Sequence, residues 1–391
     1  MRPALSARMD DAGHGGGGQV GEYAGILRSG EGVPAGARYL PSDPEAVLWG
    51  RLPCRDDAPV LTVEAGAEVV VDTLSHEGLL PDQGSDALAF FASHGVPADE
   101  VLAEAAALSS SSLRDAAADG PHVVTGPIAV EGARPGDVLG ITLLDATPRV
   151  PYGVISNRHG RGALPGEMPA GGVDAVSVFA PIAPDASGEW KGWLPRREGG
   201  PRDVSFPLAP FLGIMGVATD TAERAHSVPP GAHGGNIDVK ELVVGSTLFL
   251  PVQVPGALAY VGDPHFAQGD GEVALTALEA SLRVRIRLDL IPAAEAARAF
   301  GDLVGPLGET ATHLMPTGID ADLDEAVRKA TRAAIAILAA RYGMEAHLAY
   351  AYLSAATDLR ISQVVDLVCG AHAMIRKSDF EAPGAPVRSE S

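Results

Sequence analysis

Forty-seven glycines and 31 prolines punctuate a chain of 391 residues. At that density few helices run far, and short strands joined by turns are the natural solution. The clearest single strand runs from Leu282 to Leu290. There Leu282, Val284, Ile286, Leu288 and Leu290 alternate with Arg283, Arg285, Arg287 and Asp289. A period of two is the mark of a strand with one buried face. Further strands are expected around Val60–Ala65, over Glu68–Leu74, on both sides of the Gly132–Asp137 turn, and on either side of Gly245. Short helical pieces are expected over Ala87–Ser93 and Ala98–Leu108. The stretch 150–210 reads as having few regular elements.

The C-terminal part differs. Leu323, Val327, Ala330, Ala334, Ile337 and Leu338 recur at helical spacing, with Asp320 as N-cap and Gly343 as stop. A second helix over 344–356 and a strand at Leu359–Val368 follow. The expected fold is mainly β with an α+β C-terminal part: β-sandwich or barrel-like modules plus a smaller α/β unit. The expected division is a flexible lead-in over 1–55, a β-rich catalytic region over 56–300, an α/β unit over 301–380 and a disordered tail over 381–391.

Fifty acidic against 29 basic residues give a formal net charge of -21. Such a surface repels nucleic-acid phosphates and anionic lipid heads, so neither is an expected partner. No apolar run is long enough to span a bilayer, and the N-terminus lacks the apolar core of a signal peptide. A cytoplasmic location is expected. Two cysteines, Cys54 and Cys369, make neither a disulfide framework nor a thiolate metal site. Any metal is then left to His, Asp, Glu, Asn or water.

Three polar segments stand out. Ser75-His76-Glu77 follows an apolar strand directly. His233-Gly234-Gly235-Asn236-Ile237-Asp238 joins a histidine, an amide and an acid through two glycines; if extended, Asn236 and Asp238 share a face. The densest runs from Gly262 to Glu272, with Asp263, His265, Gln268, Asp270 and Glu272 in one stretch. Mixed histidine and carboxylate donors suit a divalent ion, zinc first, with calcium possible in principle. His76, Asp238 and His265 are the expected ligands, with His233 and Asp263 as alternates. Glu272, or Asp270 in its place, is the expected general base. Asn236, Gln268, Phe266 and His159 are expected to contact substrate. The acids of 263–272 lack the alternate-position spacing of an EF-hand loop. No nucleophile elbow, H-E-x-x-H or phosphate loop is present.

Taken in order, HVVTGPIAVEGARPGDVL at 122–139, FLGIMGVA at 211–218, PPGAHGGNIDVKELVVGSTLFLPV at 229–252, GDPHFAQGDGEV at 262–273 and MPTGIDADLDEAVRKA at 315–330 resemble the acetamidase/formamidase family. That resemblance implies hydrolysis of the C–N bond of a small carboxamide with release of ammonia. It also implies β-rich modules and assembly into homo-oligomers, dimers or higher. Some relatives act on cyclic amides and are associated with zinc, so a γ-lactam is the alternative substrate. The chain departs from the family's pattern at Ser75-His76-Glu77 and in the 150–167 loop. The reading from another class is a non-catalytic β-sandwich that binds a ligand or calcium.

Overall fold

The structure, a computed structural model, describes residues 25–380. The glycine run beside His14 and the tail beyond Phe380 lie outside the described residues. The architecture is mainly β, with two short helices at Ala87–Ser93 and Ala103–Ser109 and the longer ones on the C-terminal part. Leu282–Ile291 is a central strand of a nine-stranded sheet. It pairs antiparallel with Ala67–Asp72 on one side and Val138–Pro148 on the other. Leu282, Val284, Ile286 and Leu288 are fully buried, while Arg285 pairs with Glu68 and Arg287 with Asp289 at the surface. The period of two thus sorts core from solvent over 284–288 as the pleat requires, while Arg283 at the strand's start is buried against Asp72.

The same sheet continues through Thr247–Pro251, Leu307–Glu309, His313–Asp320, Cys369–Arg376 and Asp358–Gln363. The C-terminal unit expected at 301–380 therefore extends this sheet, joined through the pairing of Thr247 with Glu309. Its helix Leu323–Tyr342 lies on His313–Asp320 so closely that a Cβ at Gly318 would stand 2.0 Å from the Ala326 carbonyl oxygen. Asp322, not Asp320, is the N-cap: its carboxylate accepts from the Glu325 N–H. Asp320 instead pairs with Lys329 at 2.6 Å. Gly343 ends the helix in the left-handed region, as expected.

The second sheet centres on Ala259–Ala267, which pairs with Phe211–Gly216, Val123–Val130 and Leu278–Glu279. From Leu278–Glu279 it runs out as a meander of Tyr152–Arg158, Ala175–Pro184, Trp190–Pro195 and Arg202–Pro207. The 150–210 stretch is thus four strands rather than irregular chain. Its alternation is faint because most of its residues are half-buried or exposed on both faces. One apolar cluster, drawing Val69, Leu139 and Ile286 from one sheet and Ile128, Met215 and Val261 from the other, fills the space between the layers. Residues 25–55 are built into this frame. Leu40, Trp49 and Leu52 are buried, and the fully buried Arg149 donates to the Leu27 carbonyl and to Ser42 Oγ.

Around Gly245 only Thr247–Pro251 forms a strand; 237–246 is a loop. The expected strand Leu359–Val368 stops at Gln363, whose Oε1 accepts from the N–H groups of Val365 and Asp366 and turns the chain inward. No helix among the described residues is long and apolar enough to cross a membrane.

Candidate active site

Several strand ends meet at one buried point. Ala67–Asp72 leads to His76, and His122 immediately precedes Val123–Val130. Ala259–Ala267 carries Asp263 and His265, and Leu278–Glu279 carries Glu279. Asp238 follows Gly234–Asn236, Glu272 lies in the loop after Ala267, and Asp366 follows the inward turn at Gln363. All eight side chains are buried. They form overlapping groups whose donor atoms lie within 4.8 Å of one another: His76, His122 and Asp263; Asp238, Asp263 and His265; His265, Glu272 and Glu279; Asp238, Glu272 and Asp366.

His265 is the hub. Its Nδ1–H donates to Gln268 Oε1 at 3.1 Å, which turns Nε2 toward Asp263 Oδ2 and Glu279 Oε1, each at 3.0 Å. Gln268 is itself fixed, donating through Nε2 to the carbonyls of Asp238 and Ser362. His76 Nδ1 stands 3.6 Å from Asp263 Oδ1, beyond good hydrogen-bond reach, and its ring meets His122 edge-on at 5.1 Å. His122 Nδ1 is 3.0 Å from Ser227 Oγ, with Nε2 facing Asp263. Gly213, opposite this centre, leaves room that a side chain would fill. A Cβ there would lie 2.4 Å from Asp238 Oδ1 and 2.6 Å from Asp263 Oδ2.

Five carboxylates held out of water are costly unless cations or protons answer them. Burial and the neighbouring Asp366 push the Asp238 carboxyl up. Burial and Asp238 do the same to Glu272, burial and Glu272 to Asp366, and burial and Asp263 to Glu279. Asp263 is held low despite burial, by His265 and His122. His265 is held high despite burial, by Glu279 and Asp263, and His76 likewise, at about 9, by Asp263 and Glu77. Burial drives His122 down to about 3. Both oxygens of Asp238, Asp263 Oδ1, Glu279 Oε2, Asp366 Oδ2 and His76 Nδ1 are buried with no hydrogen-bond partner. Unsatisfied donor atoms of this kind, converging from histidines and carboxylates, are what a divalent cation takes. The backbone is strained to deliver them: Asp238, Asp263 and Glu272 all sit at positive φ, 49°, 51° and 46°.

The structure brings together His76, Asp238, Asp263, His265 and Glu272 of the expected residues. Asp238 arrives through its left-handed backbone and not by sharing an extended face with Asn236, whose buried Oδ1 is unpartnered. His233 stays outside the cluster, against Gly231 and Gly235, with burial lowering it to about 4. Asp270 is corrected: it points outward and pairs with Lys240 at 3.0 Å. Phe266 is next to His265 on a pleated strand, so it packs into the apolar core between the sheets. Gln268 holds His265 and the backbone, which leaves neither end of its amide free for substrate. His159 is exposed at a turn, while its neighbour Arg158 is tied to Glu77 and Asp82. Sequence reasoning missed His122, Glu279 and Asp366. The signal for two of them was a single acid within an apolar run, TALEASL and VVDLV.

The sequence profile of the Acetamidase/Formamidase family matches residues 104–222 and 218–376. These segments cover most of the chain and contain the whole cluster except His76. The chain belongs to the acetamidase/formamidase family. It is 30% identical over 231 residues to an acetamidase of Mycolicibacterium smegmatis, covering 47% of this chain and 57% of that protein. It is 30% identical over 223 residues to a formamidase of Methylophilus methylotrophus, covering 47% and 55%. The chain thus spans about half the length of the curated relatives it matches. The crystal structure of an acetamidase from Bacillus halodurans superposes with a TM-score of 0.67 at 26% identity, over 89% of this chain and 100% of that one.

Proposed function

We propose that this protein hydrolyses the C–N bond of short linear carboxamides, of the formamide or acetamide type, releasing ammonia with the help of a divalent cation. The observation that carries the reading is the buried cluster of histidines and unpartnered carboxylate oxygens in a member of this family. Asp238, Asp263 and His265 would hold the ion, with His76, His122, Glu272, Glu279 and Asp366 around them. A histidine among the donors, with two more beside them, favours zinc over calcium, which prefers oxygen ligands. Such an ion, when bound, supplies a Lewis acid for the amide carbonyl and makes water more acidic.

The chain's own groups do the rest. An amide nitrogen leaves poorly unless protonated, so a proton must be carried from water to nitrogen. Glu272 is suited to carry it. Burial and Asp238 raise its proton affinity above that of an ordinary carboxylate, which suits it to taking up the proton that water gives up. Gln268 fixes the His265 tautomer, and Gly213 keeps the space beside Asp238 and Asp263 open.

The test is elemental analysis of protein purified without added metal, together with ammonia release from formamide, acetamide and propionamide before and after chelation. About one metal equivalent or more per chain, with activity lost to the chelator and restored by zinc, is expected. Ammonia release that survives complete removal of metal would overturn the metal-dependent mechanism. Silence on all three amides with metal bound would overturn the amide reading.

A further inference from the structure

Beside the cluster, under the short helices Ala87–Ser93 and Ala103–Ser109, lies a cavity of about 20 Å³. Leu74, Phe91, Leu102, Ala105, Tyr152 and Val154 give it a hydrocarbon wall, and none of them is more than 7% exposed. Tyr152 spends its hydroxyl on the Glu100 carbonyl at 2.9 Å and offers the cavity only its ring. The helix bearing Ala105 is anchored from behind, where Glu104 accepts from the fully buried Arg149 at 2.6 Å. This wall is therefore fixed and does not yield readily.

The polar end is different. Glu77 is neutralised by Arg158 and accepts from Ser156 and Gln83. Ser75 Oγ accepts from the Glu77 N–H, and Ser281 Oγ from the Ser75 N–H. Glu279 alone among these lining groups keeps a buried oxygen, Oε2, without a partner. Glu279 is also one of the eight clustered side chains, with donor atoms within 4.8 Å of those of His265 and Glu272. One residue is thus shared by the polar cluster and the apolar recess.

We propose that this recess is the subsite for the hydrocarbon side of the amide, and that it limits the acyl chain to about one carbon beyond the carbonyl. The proposal rests on the amide-hydrolase reading. A cavity of this size holds one water or one methyl group. Acetamide fills it, formamide leaves it empty, and a longer chain must push against an anchored wall. A fitting methylene is worth roughly a 10-fold or greater gain in the specificity constant, and a misfit reverses it.

The experiment compares the metal-loaded full-length protein with Leu102→Ala, which enlarges the recess, and Ala105→Leu, which fills it. Specificity constants for formamide through butyramide are measured by ammonia release. Binding of the corresponding carboxylic acids, which requires no turnover, is read as protection against thermal unfolding. In the wild type the preference is expected to peak at acetamide. Leu102→Ala is expected to move the peak to propionamide or butyramide, and Ala105→Leu to lower the acetamide-to-formamide ratio by roughly 10-fold or more. The acids are expected to follow the same order. If Ala105→Leu does not fold, Leu102→Ala alone decides. Ammonia release with one chain-length order in every folded protein overturns the subsite and leaves the amide reading standing. No ammonia from any amide, with acid binding that still shifts with the variants, keeps the subsite and removes the hydrolysis. Loss of both overturns both.

Discussion

Glu272 and Gly213 test the site at the level of single side chains. Glu272→Gln keeps the volume and removes the titration. Bound metal is expected to stay within error of the wild type while turnover falls by roughly 10²- to 10⁴-fold. Near-normal turnover in that variant takes the proton-carrying role away from Glu272. Gly213→Ala acts on space instead. Its methyl would press on Asp238 and Asp263, neither of which can retreat from a packed interior. A stability loss of about 1–3 kcal/mol is expected, together with loss of tightly held metal. Denaturant melts and metal stoichiometry on the same preparation check this; full metal content would show that the oxygens do not need that gap. Gly213 is visible in the sequence, but nothing local marks it out. Its role follows from which oxygens the fold brings opposite it.

At the scale of elements, the loop after Asp238 is latched to the last two strands. Glu241 pairs with Arg360 and, at 3.2 Å, with His372, whose Nδ1 is 2.8 Å from Ser362 Oγ. Ser362 in turn supplies one of the carbonyls that hold Gln268. Burial opposes ionisation of Glu241, but His372 and Arg360 prevail and bring it down to about 2, against an ordinary 4.5. A carboxyl depressed on folding stabilises the protein above its unfolded value. That contribution, up to about 3 kcal/mol, is lost as pH falls from about 4.5 toward 2. The acid limb of the wild-type stability curve is therefore expected to be steeper than that of Glu241→Gln between those values. Superimposable limbs from urea melts across the range would show that the latch carries no such energy.

The whole molecule couples these parts through one sheet. Because Thr247–Pro251 hydrogen-bonds to Leu307–Glu309, residues 56–300 cannot keep a finished sheet edge without 301–380. A single calorimetric transition is expected for the metal-loaded protein. Chelation is expected to lower its midpoint, since an ion that binds only the native cluster stabilises by mass action. Two resolved transitions, one insensitive to chelator, would show that the C-terminal part folds on its own.

The sequence by itself determined the β character, the alternating central strand, the long helix and its glycine stop. It also held His76, Asp238, Asp263, His265 and Glu272 of the cluster, because acids and histidines packed among glycines are conspicuous in one dimension. Periodicity and local chemistry carry that information, and both act over a few residues. Only the tertiary structure decided the remainder. It drew His122, Glu279 and Asp366 in from strand ends far apart in the chain. It sent Asp270 out to Lys240 and Phe266 into the core, since position on a pleat and choice of partner depend on what lies across the sheet. Three of the four strands of 150–210 were hidden for the converse reason: a strand half-buried or exposed on both faces imprints little alternation on its residues.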